Sequence, residues 1–196
     1  MAHLSPAPPE NLEELAEELS LSAAIMGFEA NSLKIMAHRP EVLRGFLALM
    51  APLMGPGALL APGLRQMVAH IASATAGCRY CQAHTAHGAH NHGVTAEKIE
   101  KLWAYETDPA FTEAERAALA LAQAGASVPN AAEARHFEAA RAHFSDAEIA
   151  EIIAVVAAFG FLNRWNDTLA TGLEDSPLAF AESHLAAKGW SSGKHG

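Results

Sequence analysis

The sequence predicts an all-α bundle, and three observations carry this. Apolar residues recur at helical spacing almost throughout, and no stretch alternates as a half-buried strand would. Alanine dominates while aromatic residues make up only 7%, a mix that favours helices packed closely on small side chains. The apolar stretches are also bounded by helix start and stop signals.

The first helical segment is expected over 11–37, with a break near Gly27, and His38-Arg39-Pro40 ends it because the residue before a proline avoids the helical region. A second helix is expected over 41–53. The stretch MGPGALLAPG, 54–63, with its glycines and prolines, reads as a loop. A helical pattern then runs over 64–76. Gly77 marks a break, and the cysteine segment continues as helix to about His92, where Gly93 stops it. Thr95 is placed to cap the next helix, and Asp108-Pro109 marks a turn. Thr112 with Glu115 and Ser145 with Glu148 form two capping boxes. Between them, Val128-Pro129-Asn130 is read as the start of another helix. The helix after Ser145 is expected to reach Gly172, and a last one to span 177–188 before a polar tail. The chain of 196 residues suits one domain. Within it a thiol-bearing core over about 41–105 is followed by a second helical half over about 111–188. A degenerate duplication is one reading: shifted by 85 positions, 66–85 lies over 151–170 without a gap, and Cys78 and Cys81 fall on Asn163 and Asn166. Chance similarity between alanine-rich helices is the other.

The formal net charge is −9 and no basic block occurs, which argues against nucleic acid as a partner. Glu10, Glu13, Glu14, Glu17 and Glu18 read as a solvated helix face. The N-terminus lacks the basic start and apolar run of a secretory signal, and the longest apolar run, Ile152 to Leu162, is too short for a bilayer. The expected location is cytoplasmic, with no membrane partner. Thiols are held reduced there, so a close pair is expected to be catalytic, redox-active or metal-binding.

That pair sits in GCRYCQAHTAHGAH, 77–90, which holds both cysteines and three of the eleven histidines. On a helix, positions three apart lie roughly 5 Å apart at Cα, inside the ~4.4–6.8 Å that a disulfide needs. Cys78 and Cys81 can therefore close into a disulfide and open again. At 100° per residue, His84 and Thr85 share their face, while His87 and His90 point elsewhere, towards a surface or a subunit contact. His84, a turn beyond Cys81, is placed to accept or relay its proton. A helix N-terminus and a nearby cation such as Arg79 lower a thiol's pKa from about 8.5, and this argument alone makes Cys78 the more acidic thiol. On the preceding helix Gln66, His70 and Ser73 share a face, from which His70 can be aimed at the thiols. A zinc site is the competing reading, but ligands along one helix cannot surround a metal without a contribution from elsewhere, such as His70. No metal or cofactor is expected.

GCRYCQAHT, 77–85, resembles the core motif of the AhpD-like proteins of the carboxymuconolactone decarboxylase superfamily. NSLKIMAHRPEVL (31–43), FTEAERAALALA (111–122) and FGFLNRWNDTLATGLE (159–174) resemble its peroxidase-related branch. The resemblance implies an AhpD-like helical bundle, often assembled as a homo-oligomer (dimer, trimer or hexamer), that reduces alkyl hydroperoxides through the cysteine pair. It implies that Cys81 attacks the peroxide and Cys78 resolves the sulfenic acid to a disulfide. A thioredoxin-like or lipoyl-bearing dithiol donor then restores the thiols. Two departures stand out. The family's relay glutamate falls on Gln66, which cannot transfer a proton as a carboxylate does, and its relay histidine falls on Thr85, with His84 one residue earlier. His70 is the expected replacement base. The alternatives are a redox-sensing or metal-binding helical protein without turnover, and a general dithiol–disulfide oxidoreductase. Asn163, Trp165 and Asp167 either line a pocket beside the thiols or serve packing and capping. The tail GWSSGKHG either covers a neighbouring subunit or is unordered.

Overall fold

In the computed structural model, which describes residues 2–196, 69% of the chain is helical and none of the described residues form a strand. Three short helices open the chain: α1 (Pro9–Glu14), α2 (Ala16–Met26) and α3 (Asn31–Met36). Gly27 ends α2 in the left-handed conformation, so the expected break becomes a four-residue gap before α3. α4 (Pro40–Met54) carries proline at its first position, where the missing N–H costs nothing. The loop that follows is tied from both sides. Arg65 Nη1 donates to the carbonyls of Leu53 (3.0 Å) and Gly55 (2.8 Å), and the Glu151 carboxylate accepts from the N–H groups of Leu59 (2.7 Å) and Leu60 (3.0 Å).

α5 (Pro62–Thr75) and α6 (Arg79–Asn91) form the central hairpin. Their junction is a Schellman motif. Gly77 N–H donates to Ala74 O and Cys78 N–H to Ser73 O, both at 3.1 Å, and Gly77 takes φ 78, which a side chain would resist. The same motif closes α6 at Gly93. The helices then run close enough that a Cβ on Gly88 would stand 2.7 Å from the Gln66 carboxamide oxygen.

α7 (Ala96–Glu100) is capped by Thr95 as expected. α8 (Glu113–Ala126) and α10 (Asp146–Leu169) begin at the two capping boxes, both fully formed. The helix expected from Val128 starts later, as α9 (Ala134–Arg141). α11 (Asp175–His184) ends four residues before the expected limit, and a single 3-10 turn, Ala186–Lys188, follows it. The main core joins α5, α6, α8 and α10 through residues such as Val68, Ile71, Leu119, Leu121, Ile152 and Val155. A second cluster packs α1 to α4 around Leu15, Met36 and Leu43.

The aligned halves of the duplication reading differ at one point: α10 runs unbroken where the first copy breaks at Gly77. Yet Cys81 touches Asn166, the position aligned with it. The tail is ordered on its own chain. His195 is buried, Leu173 N–H donates to His195 O (2.8 Å), and Trp190 Nε1 donates to Arg79 O (3.2 Å). Among the described residues no helix is long and apolar enough to cross a membrane.

Candidate active site

The Schellman junction sets the position of the first thiol. Cys78 is the last residue of that motif and also the N-cap of α6, with an extended backbone. α6 thus starts at Arg79, and the Cys78 side chain, as its cap, faces the unpaired N–H groups of the first turn. Cys81 N–H donates to Cys78 Sγ at 3.3 Å. The neighbouring Cys81 thiol, working against burial and aided by the Cys81 backbone N–H, holds the Cys78 thiol below its ordinary pKa. Burial, followed by the bond to Cys78, pushes Cys81 well up, although Asn166 Nδ2 donates to Cys81 Sγ at 3.6 Å. Both cysteines are free and buried, 0% and 2% exposed. The pair is therefore asymmetric, with Cys78 the more acidic thiol. Tyr80, Leu162 and Leu173 enclose them.

His84 turns away from the thiols. Its Nε2 is 2.5 Å from Glu174 Oε2, and its ring stacks on Tyr80 with centroids 4.1 Å apart and meets Phe28 edge-on at 5.1 Å. Glu174 also accepts from the Tyr80 hydroxyl (2.9 Å) and from Asn31 N–H (2.5 Å). Burial pushes the Glu174 carboxyl up, but the His84 hydrogen bond and charge, with Asn31 and Tyr80, outweigh it and hold the carboxyl below its usual range. In place of the expected contact with Cys81, the structure shows His84 held in a part-buried carboxylate cluster. The physical reason is the loop between α10 and α11, which brings Glu174 onto the α6 face from 90 residues away.

His70 reaches α6 one turn beyond Cys81. Its Nδ1 lies 3.1 Å from Thr85 Oγ1 and 3.2 Å from Gln82 O. The Thr85 hydroxyl donates to Cys81 O (2.7 Å), so the His70 Nδ1–H is the donor to both partners. His70 thus packs against Thr85, the position where the family's relay histidine is expected. Burial pushes His70 down to about 4, however, and an imidazole held there is a poor proton acceptor at neutral pH. Gln66 stands beside Gly88, about 10 Å along α6 from Cys81 by helical rise, so the relay position lies off the thiols. His87 and His90 pack on Phe180 of α11, at 6.0 Å and 5.0 Å between centroids, within the same chain.

Asn163 and Asp167 line a cavity of about 1000 Å³ that opens between α8 and α10, together with Thr75, Ala76, Phe161 and Arg164. Trp165 does not line it and stacks on Phe161 at 6.0 Å. Asn166 and Glu174 escaped the sequence reading. Asn166 carried one usable signal, its alignment with Cys81 in the 85-residue shift. Among the described residues no group of three or more His, Cys, Asp or Glu side chains could hold a metal ion.

Fold and site define a helical protein with a buried Cys-x-x-Cys dithiol at a helix N-terminus. The sequence profile of the carboxymuconolactone decarboxylase family matches residues 40–124, and the all-helical fold is AhpD-like. The apo structure of the debrominase Bmp8 is 29% identical, covers 91% of this chain and 96% of its own, and superposes with TM-score 0.83. A cysteine-to-alanine variant of Bmp8 in complex with 2,3,4-tribromopyrrole gives 28%, 92%, 96% and 0.84. An uncharacterised peroxidase-related protein with an AhpD core from Ralstonia eutropha JMP134 gives 25%, 91%, 95% and 0.78. No curated protein sequence matches the chain.

Proposed function

We propose that the protein is a thiol-dependent reductase that cycles Cys78 and Cys81 between dithiol and disulfide, with an organic hydroperoxide as oxidant. One observation carries the proposal: two free, buried thiols lie within one turn at the N-terminus of α6, where the Cys81 N–H donates to Cys78 Sγ at 3.3 Å. The thiolate attacks the peroxide O–O bond, leaving a sulfenic acid and an alkoxide that takes up a proton as alcohol. The partner thiol then attacks the sulfenic sulfur, a disulfide forms and water leaves. Two electrons have passed to the peroxide, and an external dithiol returns them.

The resting geometry ionises Cys78 first. The order implied by the resemblance, with Cys81 attacking, requires the shared proton to move to Cys78 beforehand. Cys78→Ser and Cys81→Ser, each given one equivalent of cumene hydroperoxide and a sulfenic-acid trap, identify the attacker as the variant that still forms the adduct quickly. Fast loss of both thiols in the unmodified protein supports the peroxidase reading, and oxidation no faster than that of a free thiol sinks it.

The likeness to Bmp8 and the cavity beside Asn163 and Asp167 favour one second reading, reductive dehalogenation of a small halogenated heteroaromatic. There the dithiol supplies two electrons, the ring gains hydrogen in place of halogen, and halide and a proton are released with the disulfide. Incubating reduced protein with a brominated pyrrole and measuring bromide against lost thiols separates the two substrates.

A further inference from the structure

Asn166 sits on the last turn of α10 with its side chain on the second thiol. α10 closes in a Schellman motif, in which Thr171 N–H donates to Asn166 O (3.2 Å) and Ala170 N–H to Asp167 O (3.4 Å). The Asn166 backbone is thereby fixed where its amide meets α6, and its Nδ2 donates to Cys81 Sγ at 3.6 Å. Asn166 is 1% exposed, and its Oδ1 has no hydrogen-bond partner within the protein. The sulfur is thus the one partner of this buried carboxamide. The charged and titratable groups around Cys81 are engaged elsewhere. Arg79 Nη1 is turned to Gly189 O (3.1 Å), and His84 and Tyr80 are held by Glu174. His70 is held by Gln82 and Thr85, and Asp167 pairs with Lys194 Nζ at 2.9 Å. Among the described residues, Asn166 is the side chain that donates to the Cys81 sulfur.

We propose that Asn166 is a catalytic residue of the dithiol: its side-chain N–H holds the Cys81 sulfur while that sulfur carries negative charge. Either order of attack puts charge there. If Cys81 attacks first, it passes its proton on before it meets the peroxide O–O bond. If Cys78 attacks first, Cys81 loses its proton as it attacks the sulfenic sulfur. The S–S bond then forms, the S–O bond breaks, and hydroxide leaves with that proton as water. When a dithiol donor attacks Cys78 of the disulfide, the electron pair of the S–S bond leaves on Cys81. A hydrogen bond to a sulfur anion is stronger than one to a thiol, so the amide favours charge at each of these points. It does so at the sulfur that burial otherwise keeps protonated.

The inference rests on the dithiol reading, but its test needs no oxidant, so the two fail separately. Cys78→Ser leaves Cys81 as the one thiol, and serine keeps the N-cap of α6. Thiolate absorbance against pH in that protein gives the Cys81 midpoint, with thermal melting as the fold control. Adding Asn166→Leu, close in size and without a donor, should raise the midpoint by about one pH unit, or about tenfold less thiolate at a given pH below it. The same substitution in Cys81→Ser should leave the Cys78 midpoint within about 0.3 pH units, a selectivity that loosened packing does not produce. A folded Cys78→Ser/Asn166→Leu protein with the Cys78→Ser midpoint overturns the proposal, and so does an equal rise at Cys78. If Asn166→Leu fails to fold, Asn166→Asp carries the test, since it keeps the shape and removes the donor. The Cys81 midpoint should then rise at least as far, and an unmoved midpoint again overturns the proposal.

Discussion

His70 offers the sharpest test of the electrostatics of the site. In the fold its imidazole is pushed down to about 4, whereas in the unfolded chain it titrates near 6.5. Between those values the unfolded state binds more protons, so stability rises with pH across the window and falls as acid is added. Full protonation of both states corresponds to about 3 kcal/mol, and between about pH 7.5 and about pH 5 the share from His70 is about 2 kcal/mol. His70→Asn retains an N–H for Gln82 O and Thr85 Oγ1 and removes the titration. Urea unfolding of both proteins at the two pH values gives a difference of differences in which the remaining histidines cancel. The unmodified protein should lose about 2 kcal/mol more than the variant. Equal losses would refute the claim that His70 is buried neutral, and with it the reading of its hydrogen bonds.

Further outcomes follow from the same contacts. His70→Asn should keep peroxide-driven disulfide formation at neutral pH within about threefold, and a drop of about tenfold or more returns His70 to the role of base. Glu174→Gln weakens the ties to His84, Tyr80 and Asn31 and should cost about 2 kcal/mol at neutral pH by chemical denaturation. Because the Glu174 carboxyl is held below its usual range, its stabilisation is present above about pH 4.3 and is lost as pH falls through the folded value, so the variant should show a flatter acid limb. Ala170 closes α10 at φ 49, where a Cβ is strained, and Ala170→Gly should raise stability by up to about 1 kcal/mol in a thermal melt. Cys78→Ser should remove most of the thiolate absorbance at neutral pH and Cys81→Ser should leave more of it, and the opposite order contradicts the assignment of the resting thiolate.

What the sequence disclosed is local. Thr95, the Thr112–Glu115 pair and the Ser145–Glu148 pair cap helices through bonds spanning three residues, and all three were readable from spacing. Gly77 was readable as a break, though not that Cys78 becomes a cap, because that depends on which of two helices claims it. Helical angles put His84 and Thr85 on the side of the thiols but carried no information on what packs there. Glu174, Asn166 and Trp190 arrive from 85 to 111 residues away along with their segments, and periodicity does not encode such pairings. His70 was found by its face, yet its burial, which decides its chemistry, depends on how closely α5 meets α6.

The span matched by the family profile, 40–124, contains both cysteines, yet several groups that pack around them lie beyond it. Asn166, which donates to Cys81 Sγ, comes from α10, and Glu174, which holds Tyr80 and His84, comes from the following loop. Inheritance of the motif is thereby separated from inheritance of its reactivity. Substitutions in the flanks can retune proton affinity at the sulfurs without touching the Cys-x-x-Cys segment. Two proteins alike across that segment can thus diverge in the oxidant they accept, and assigning a substrate to either calls for inspecting the ends of the chain before its centre.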